Sequence, residues 1–553
     1  MSLTKIATSF WKFIRPSFKE WIYNLNEYNH LKKLIKSVKK TNILSDKTVV
    51  INTARTIRNS IDAELYYGLI LSLNGAKVKV LLDDGVLYHW DTLSLDNWNT
   101  FQIYRKTPEI NKIDKIPLNP HYFNFSNIFK KDNYFLRVLL RKNTVKRALK
   151  TYKNENIEYI YYSRILKRKN IKFENIEVLR KHAESSTKRF FRDIDLDYNN
   201  KYIKYYYNLS LKNAVVSQKI SEYILNEIKP DVYITQHGYY SMHGPAFEFL
   251  KKKGINVRNW ITISHTKSVN IKFEDTLEPT LTRSNFWKAY KNTPVTDDMK
   301  NKVKEFFNQR FDTATIDMQT FHYMKKENII LIDKKDGYKY HVAMFPNVGW
   351  DSNVRDRHVA FNGLLDWLLS TVNYFKNRDD LKLYIKAHPG ELYFSKTTPR
   401  ILDILKKYVD FTKIKNIELI PPEKQIYTYT FLKSGIDLGI IYDGILSLEM
   451  PYLKIPTIVC GWKGFASVEN GNHNVATKEE YFQILDNIES FIKDFHNRYE
   501  KHFNNIVRYV YWYVYENLVR LPSFNYKVSF RFDLMQLKKE DLKLEDNLLR
   551  IFN

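Results

Sequence analysis

Short apolar runs alternate with stretches of helical periodicity over the first half of the chain. Strands are predicted at 47–54, 76–85, 230–236 and 255–263, and helices at 60–75, 202–229 and 242–254. Successive parallel strands need a crossover connection, which is usually a helix. The pattern therefore predicts an open parallel sheet flanked by helices.

The same alternation returns after residue 326 and predicts a second sheet of this kind. Strands are predicted at 327–332, 340–348, 381–389, 417–421, 436–442 and 457–462, the last of the series, and helices at 361–375, 398–409, 426–435, 445–456 and 478–518. We therefore divide the chain into four parts: a basic amphipathic arm at 1–45, a Rossmann-like domain at 46–325 with a helical insertion around 100–200, a second Rossmann-like domain at 326–490, and helices at 491–553 that pack back on the first domain.

Positive charge and cysteine content narrow the function classes. The chain holds 88 Lys and Arg against 61 Asp and Glu, a formal net charge of +27. Such an excess attracts nucleic acid, anionic lipid or phosphorylated small molecules without choosing among them, and the residue bias of a low-GC genome explains part of it. Cys460 is the only cysteine, which excludes an intrachain disulfide and a zinc site of several thiolates. Its apolar neighbours indicate a buried core thiol.

Two basic segments suggest a membrane surface. Residues 1–45 mix Lys and Arg with Trp and Phe at roughly helical spacing, so this arm either lies in a membrane interface or packs on the protein itself. The basic face of residues 129–153 meets solvent, lipid phosphate or an acceptor. We find neither a signal peptide nor a run of about 18 apolar residues. We expect a cytoplasmic protein at the inner face of the inner membrane.

Candidate chemistry in the second half lies where its strands end, because ligands of open α/β sheets bind at the carboxyl ends of the strands. His388, held by Pro389, can donate to a phosphate oxygen, and Lys386 adds positive charge nearby. The alternative is a surface His before a turn.

A second strand end in this half contains Asp443 and Gly444. The tight turn leads into a helix whose first N–H groups can bind an anion, with Ser447 as its hydroxyl. Glu449 lies about one turn further on, where it accepts from ribose hydroxyls or is an ordinary acid on the helix surface.

The strand ends of the first half offer two candidate bases. Asp83 and Asp84 precede Gly85, and adjacent acids at a strand end supply a general base or form a turn. His237 follows another strand and is a candidate base, a ligand contact or a structural His. Phosphate-loop, GxGxxG and zinc spacings are absent, and Asp193–Asp195 has no strand-end context for a metal-binding DxD motif.

The order and spacing of several motifs resemble the capsule polysaccharide biosynthesis glycosyltransferases. This group includes capsule-linker transferases that use CMP-Kdo, and it shares a His-Pro motif with bacterial sialyl- and polysialyltransferases. The resemblance covers roughly 48–95, 230–263 and 340–490. Its motifs are LLDDG (81–85), QHGYYSMHGPAFEFLKKKGINV (236–257), FPNVGWDS (345–352), DWLLSTVNYF (366–375), LYIKAHPGE (383–391), LIPPE (419–423), IIYDGILSLEM (440–450) and IPTIVCGW (455–462).

The resemblance implies an α/β fold of the GT-B class, with two Rossmann-like domains whose parallel sheets face across a cleft. It implies that the second domain binds the nucleotide sugar and the first the acceptor. The donor-site candidates are Lys386, His388, Pro389, Glu391, Asp443, Gly444, Ser447 and Glu449. The resemblance implies that His388 contacts the donor phosphate and that the 443–447 turn and Glu449 hold phosphate and ribose. The catalytic candidates are Asp83, Asp84 and His237, with Gly238, Tyr239 and Asp351 on the acceptor side. Among the catalytic candidates, the resemblance implies that one of the two acids is the base.

These features predict a glycosyltransferase that needs no metal and no cofactor. It moves a sugar from a nucleotide-activated donor, a CMP-activated acidic sugar first and a UDP-sugar next, to a bacterial capsule or surface polysaccharide or its lipid-linked acceptor. Expected partners are the donor, the acceptor and an anionic membrane surface, but not nucleic acid. The alternatives are a CDP-polyol phosphotransferase of similar fold and a non-enzymatic basic scaffold that binds membrane or RNA.

Overall fold

The structure is a computed structural model. It describes residues 26–27, 29–54, 58–88, 149, 152, 154–166, 176–265, 268–276, 283–312, 328–348, 358–394, 399–461, 471–522, 524–525, 531–532 and 534–553. Most of the predicted basic arm, nearly all of 129–153 and Asp351 lie outside the described residues.

The first sheet is built on five parallel strands. These are β1 (Thr48–Thr53), β2 (Lys77–Leu82), β3 (Ile157–Tyr161), β4 (Val232–Gln236) and β5 (Val257–His265). They lie in the spatial order 3-2-1-4-5. Two further strands extend the sheet beyond β5: β6 (Ser268–Glu274) pairs antiparallel with β5, and β13 (Val519–Arg520) pairs antiparallel with β6. The parallel part has the Rossmann strand order, which reverses between β1 and β4.

Helices cover both faces of this sheet. They are α1 (Arg58–Leu73), α2 (Tyr162–Leu166), α3 (Ile176–Phe191), α4 (Lys201–Tyr223), which continues as a π-helical turn over Ile224–Ile228, and α5 (Gly244–Lys252). Helix α1 is apolar on nearly all sides because it packs between the sheet and a C-terminal segment that includes Leu534 and Ile551. The chain leaves α1 at Gly75, whose φ of +102° favours glycine.

The second sheet is entirely parallel. Its strands are β7 (Tyr340–Phe345), β8 (Leu381–Lys386), β9 (Ile417–Ile420), β10 (Leu438–Ile441), β11 (Thr457–Val459) and β12 (Asn472–Asn474). Their spatial order, β9-β8-β7-β10-β11-β12, is the full Rossmann order and reverses between β7 and β10. The prediction of an α/β fold with two Rossmann-like sheets is therefore confirmed.

The remaining helices surround the second sheet or lie between the two sheets, apart from the last one, whose Leu548 packs in the same apolar cluster as α1 and the first sheet. They are α6 (Asn285–Tyr290), α7 (Asp297–Asp312), α8 (Leu364–Phe375), α9 (Glu391–Phe394), α10 (Ile401–Tyr408), α11 (Thr428–Lys433), α12 (Leu446–Tyr452), α13 (Lys478–Asp486), α14 (Ile488–Asn497), α15 (Tyr499–Tyr515) and α16 (Asp546–Leu549). Two short strands, β14 (Phe524–Asn525) and β15 (Arg531–Phe532), form a separate antiparallel pair. Within the described ranges, no helix has the length and apolar character needed to cross a bilayer.

Helix α15 joins the two sheets through one apolar cluster. This cluster contains Ile261 of β5, Leu448 of α12 and Trp512 of α15. Beside it, the fully buried Lys272 donates to the carbonyl oxygen of Trp512 at 2.7 Å and lies 3.6 Å from the centre of its ring. Lys272 also pairs with the buried Glu274 at 3.5 Å, so its charge is compensated inside the protein.

The structure differs from the predicted secondary structure in several places. Strand β3 was not predicted, because it lies in a basic stretch whose polar residues hide its alternation. The predicted strand at 327–332 has no regular structure over its described residues, and Leu331 is 70% exposed. A further parallel strand, β12, follows β11, and its Asn-His-Asn sequence has no apolar signal. The long C-terminal helix is three helices, with breaks at Asn487 and Arg498.

Candidate functional site

The second sheet reverses its strand order at Asn347 and Asp443, which follow β7 and β10. Asn347 Oδ1 accepts from the backbone N–H of Asp443 at 3.1 Å, and Asp443 Oδ1 accepts from the N–H of Gly444 at 2.7 Å. Gly444 has a φ of +125°, which L-residues rarely adopt. Sequence analysis missed Asn347, although it lies in the FPNVGWDS motif.

Ser447 and Glu449 bond to the protein around this turn. The buried Ser447 donates its hydroxyl proton to the carbonyl oxygen of Gly444 at 2.6 Å. Glu449 is buried and does not lie on the helix surface. Its carboxylate pairs with Arg310 of α7 and accepts from the hydroxyl of Tyr429 at 3.0 Å. Both side chains therefore stabilise the turn and its surroundings, and their predicted contacts with phosphate and ribose stay predictions.

Lys386 is a buried cation at the carboxyl end of β8. Its side chain is 4% exposed and points to the same face of the sheet as Tyr384, which is part of an apolar cluster. No residue in the described ranges forms a hydrogen bond or ion pair with its ammonium group. Burial alone lowers the pKa of Lys386 to about 8. A strongly perturbed cation at a strand end marks a candidate binding site.

The turn after Lys386 orients His388 and buries Glu391. His388 Nδ1 accepts from the N–H of Gly390 at 3.0 Å, so the neutral imidazole carries its proton on Nε2. Glu391 Oε1 accepts from the N–H of Ile401 at 3.3 Å, while its buried Oε2 has no partner among the described residues. Burial raises the pKa of Glu391 to about 7. Pro389 follows His388 in the chain and is buried.

The first sheet reverses its strand order between β1 and β4, where His237 and Gly238 follow β4. Both residues have positive φ, +64° and +70°. For a non-glycine residue such as His237 this conformation is uncommon and costs on the order of 1 kcal/mol or more. The ring of His237 stacks on that of the buried Tyr239 at 6.1 Å between centroids. The strained turn therefore lies at the switch point of the sheet.

His182 of α3 contacts this turn and helps to hold it. Sequence analysis did not single out this residue. Its Nδ1 lies 2.7 Å from the carbonyl oxygen of Tyr239, and its Nε2 lies 2.9 Å from Glu248 Oε1. The ring packs so closely on Gly244 that a Cβ there would lie 2.1 Å from it. The glycine at the start of α5 is the one sequence feature that indicates such a close approach.

Asp83 and Asp84 follow β2, one strand away from the switch point. Asp83 is fully buried, and its Oδ1 accepts from the backbone N–H groups of Gly85, Val86 and Leu87 at 2.8–3.1 Å. Asp84 accepts from the N–H and the hydroxyl of Ser163 at 3.1 and 2.7 Å. This geometry supports the turn-forming interpretation, and the role of general base stays a prediction.

The structure thus brings the described candidates together as two groups, one at the carboxyl edge of each sheet. Over the described ranges, no group of three or more His, Cys, Asp and Glu side chains is arranged to hold a metal ion.

Comparison with known proteins gives no family model and no curated sequence that matches this chain. Solved structures with a partial likeness include a UDP-GlcNAc 2-epimerase from Neisseria meningitidis, at 11% identity and a TM-score of 0.24, covering 84% of this chain and 97% of that one. The KpsC β-Kdo 2,4-transferase of Thermosulfurimonas dismutans has 11% identity and a TM-score of 0.29, covering 45% and 74%. The spinosyn rhamnosyltransferase SpnG has 9% identity and a TM-score of 0.24, covering 85% and 100%.

Proposed function

We propose that this chain is a GT-B glycosyltransferase that transfers a sugar from a nucleotide-activated donor. The observation that carries the proposal is Lys386, a buried cation whose charge no described residue balances, at the carboxyl end of a strand in a Rossmann-like sheet. A nucleotide phosphate bound there supplies the missing negative charge. Its binding therefore removes the cost of leaving that cation unpaired.

The residues around Lys386 fit the departure of a nucleotide phosphate. As the bond between the anomeric carbon and the phosphate oxygen breaks, the electron pair goes to that oxygen. Lys386 and the Nε2–H of His388 stabilise the new charge. The acceptor hydroxyl oxygen bonds to the anomeric carbon and loses its proton to His237, which the strained turn holds at the edge of the first sheet. Asp84 is the alternative base.

The donor and acceptor classes rest on the motif resemblance. The LYIKAHPGE motif favours a CMP-activated acidic sugar, with a UDP-sugar next. The proposed acceptor is a bacterial capsule or surface polysaccharide or its lipid-linked precursor, reached at the inner face of the inner membrane by a strongly basic protein.

Thermal-shift binding of CMP, CDP, UDP and GDP tests the proposal on the wild type, His388→Ala and the control His496→Ala, which alters an exposed His of α14. We expect one nucleotide to raise the melting temperature of the wild type and of the control, but not of His388→Ala. A selective shift with CDP would favour the polyol-phosphate transferase. If no nucleotide shifts the folded wild type, the glycosyltransferase proposal fails and the basic scaffold replaces it.

A further inference from the structure

A polar cavity of about 300 Å³ lies between α15 and the segment that follows α6, on residues that the proposed transfer does not use. Its lining residues are Trp287, Lys291, Asn292, Asn505 and Arg508. Trp287 is buried against Tyr509 and Trp512, with ring centroids about 5 Å apart, and forms a rigid floor. The polar lining residues therefore determine what the cavity can bind.

The hydrogen bonds of Arg508 orient two of these polar groups. Its Nε donates to the carbonyl oxygen of Thr293 at 2.6 Å, and its Nη1 donates to Asn505 Oδ1 at 2.7 Å. The guanidinium is thus held in place while its Nη2 donors stay outside these two bonds. Because Asn505 uses its oxygen for Arg508, its amide presents N–H donors on the other side.

Lys291 and Asn292 complete a surface of donors. Lys291 contributes a second positive charge, and the exposed Asn292 contributes an amide. None of the five described lining residues is acidic. Two cations, one of them a fixed guanidinium, favour an oxyanion over a neutral ligand, since charge-assisted hydrogen bonds are the stronger ones.

We propose that this cavity binds an oxyanion, the phosphate or carboxylate group of an acidic sugar or of a lipid headgroup. Its volume lies at the lower end of the range of small-molecule sites, about 300–1,000 Å³, and leaves room for part of the molecule that carries the anion. The cavity uses none of the residues of the donor site at Lys386. The proposed oxyanion binding can therefore be tested independently of the proposed transfer.

Isothermal titration of the full chain tests this site with inorganic phosphate, glucose 1-phosphate and glucuronate, and with glucose as the neutral control. Vesicles of phosphatidylcholine with and without phosphatidylglycerol, followed by co-sedimentation, separate a lipid source from a soluble one. The test variants are Lys291→Met and Asn292→Asp, each of which lowers the net charge of the cavity by one. Lys335→Met makes the same charge change on an exposed loop before β7.

We expect Lys291→Met and Asn292→Asp to weaken binding of at least one oxyanion probe by about tenfold, as for the loss of a charge-assisted hydrogen bond, while Lys335→Met binds like the wild type. Lys386→Met should keep the oxyanion binding that Lys291→Met and Asn292→Asp weaken. Any binding that Lys386→Met loses is assigned to the donor site. A loss confined to phosphatidylglycerol vesicles would identify a lipid headgroup as the ligand. Equal binding by all variants, binding of glucose as strong as that of glucose 1-phosphate, or no binding of any oxyanion probe would overturn the proposal.

Discussion

The carboxyl ends of β2 and β8 occupy the same position in their two sheets, but the buried charged side chains after β2 have hydrogen-bond partners and the one at the end of β8 has none among the described residues. Each is the second strand of a Rossmann order, and each ends in charged side chains less than one-tenth exposed. After β2, Asp83 accepts from three backbone N–H groups and Asp84 from Ser163. At the end of β8, Lys386 has no partner among the described residues.

This difference separates a structural turn from a candidate binding site. A buried carboxylate whose oxygens accept from protein donors stabilises the fold, whereas an unpaired buried cation lowers the stability of the free protein. The acids beside β2 therefore have a sufficient structural explanation. Lys386 has none, which makes it a functional candidate. The following predictions test this contrast.

Removing the carboxylate of Asp83 should have the largest effect. Asp83→Ala leaves three backbone N–H groups without their acceptor and should lower the free energy of unfolding by about 3 kcal/mol or more. Differential scanning calorimetry measures this as a fall in melting temperature. Asp83→Asn keeps an acceptor oxygen in the same place and should lose far less. Equal losses in the two variants would show that the negative charge, and not the turn, is what matters.

Lys386→Met should stabilise the protein and weaken nucleotide binding. The pKa of Lys386 is lowered to about 8 in the folded state, so below pH 8 folding buries a charge, and that cost fades as the pH rises from 8 towards the ordinary lysine value. We expect a gain of about 2 kcal/mol at pH 7 and a smaller gain at pH 10. Nucleotide affinity should fall at least tenfold.

The matched control for Lys386→Met is Lys382→Met on the same strand, whose ammonium bonds to the carbonyl oxygen of Lys415 at the surface. It should change neither the melting temperature nor nucleotide affinity in this way. A melting temperature lowered by Lys386→Met would mean that the ammonium already has a stabilising partner.

Glu391→Gln should flatten the pH dependence of stability. Burial raises the pKa of Glu391 from its ordinary value of 4.5 to about 7, so the folded state holds its proton more tightly than the unfolded state, and stability is lost as the pH rises from 4.5 to about 7. The variant should therefore gain about 1–2 kcal/mol more at pH 8 than at pH 5.5 relative to the wild type. Melting temperatures at the two pH values measure this gain. The exposed Glu479→Gln should show no such difference.

Asp84 should show the smallest effect, and Ser163→Ala supplies its control. Asp84→Asn and Ser163→Ala each weaken the same contact and should lower stability by about 1 kcal/mol.

In a transfer assay with the donor found by thermal shift, we expect His237→Ala to lower kcat at least a hundredfold, but Asp84→Asn less than tenfold. If Asp84→Asn lowers kcat a hundredfold while Ser163→Ala does not, Asp84 is the base instead.

The local sequence pattern predicted many secondary-structure elements correctly, but it did not predict which residues contact each other in the fold. The strands that end at Leu82, Gln236, Lys386 and Ile441 were predicted because each is a compact apolar run next to a turn. Strand β12 was missed because backbone pairing with β11 holds it, and backbone pairing has no side-chain signature. His182 was missed because its contact with Tyr239 joins residues 57 positions apart.

The sequence alone determined most of the parallel strands of the two sheets, several of their crossover helices and the strand ends at which candidate residues gather, because apolar periodicity and turn residues act over a few neighbouring positions. Tertiary structure decided which of the buried charges are satisfied. Ser163 reaches Asp84 from 79 residues away, and Arg310 reaches Glu449 from 139. Lys386 finds no such partner in the described part of the chain. Burial and hydrogen bonding depend on what the fold packs against a side chain, and that information is not local.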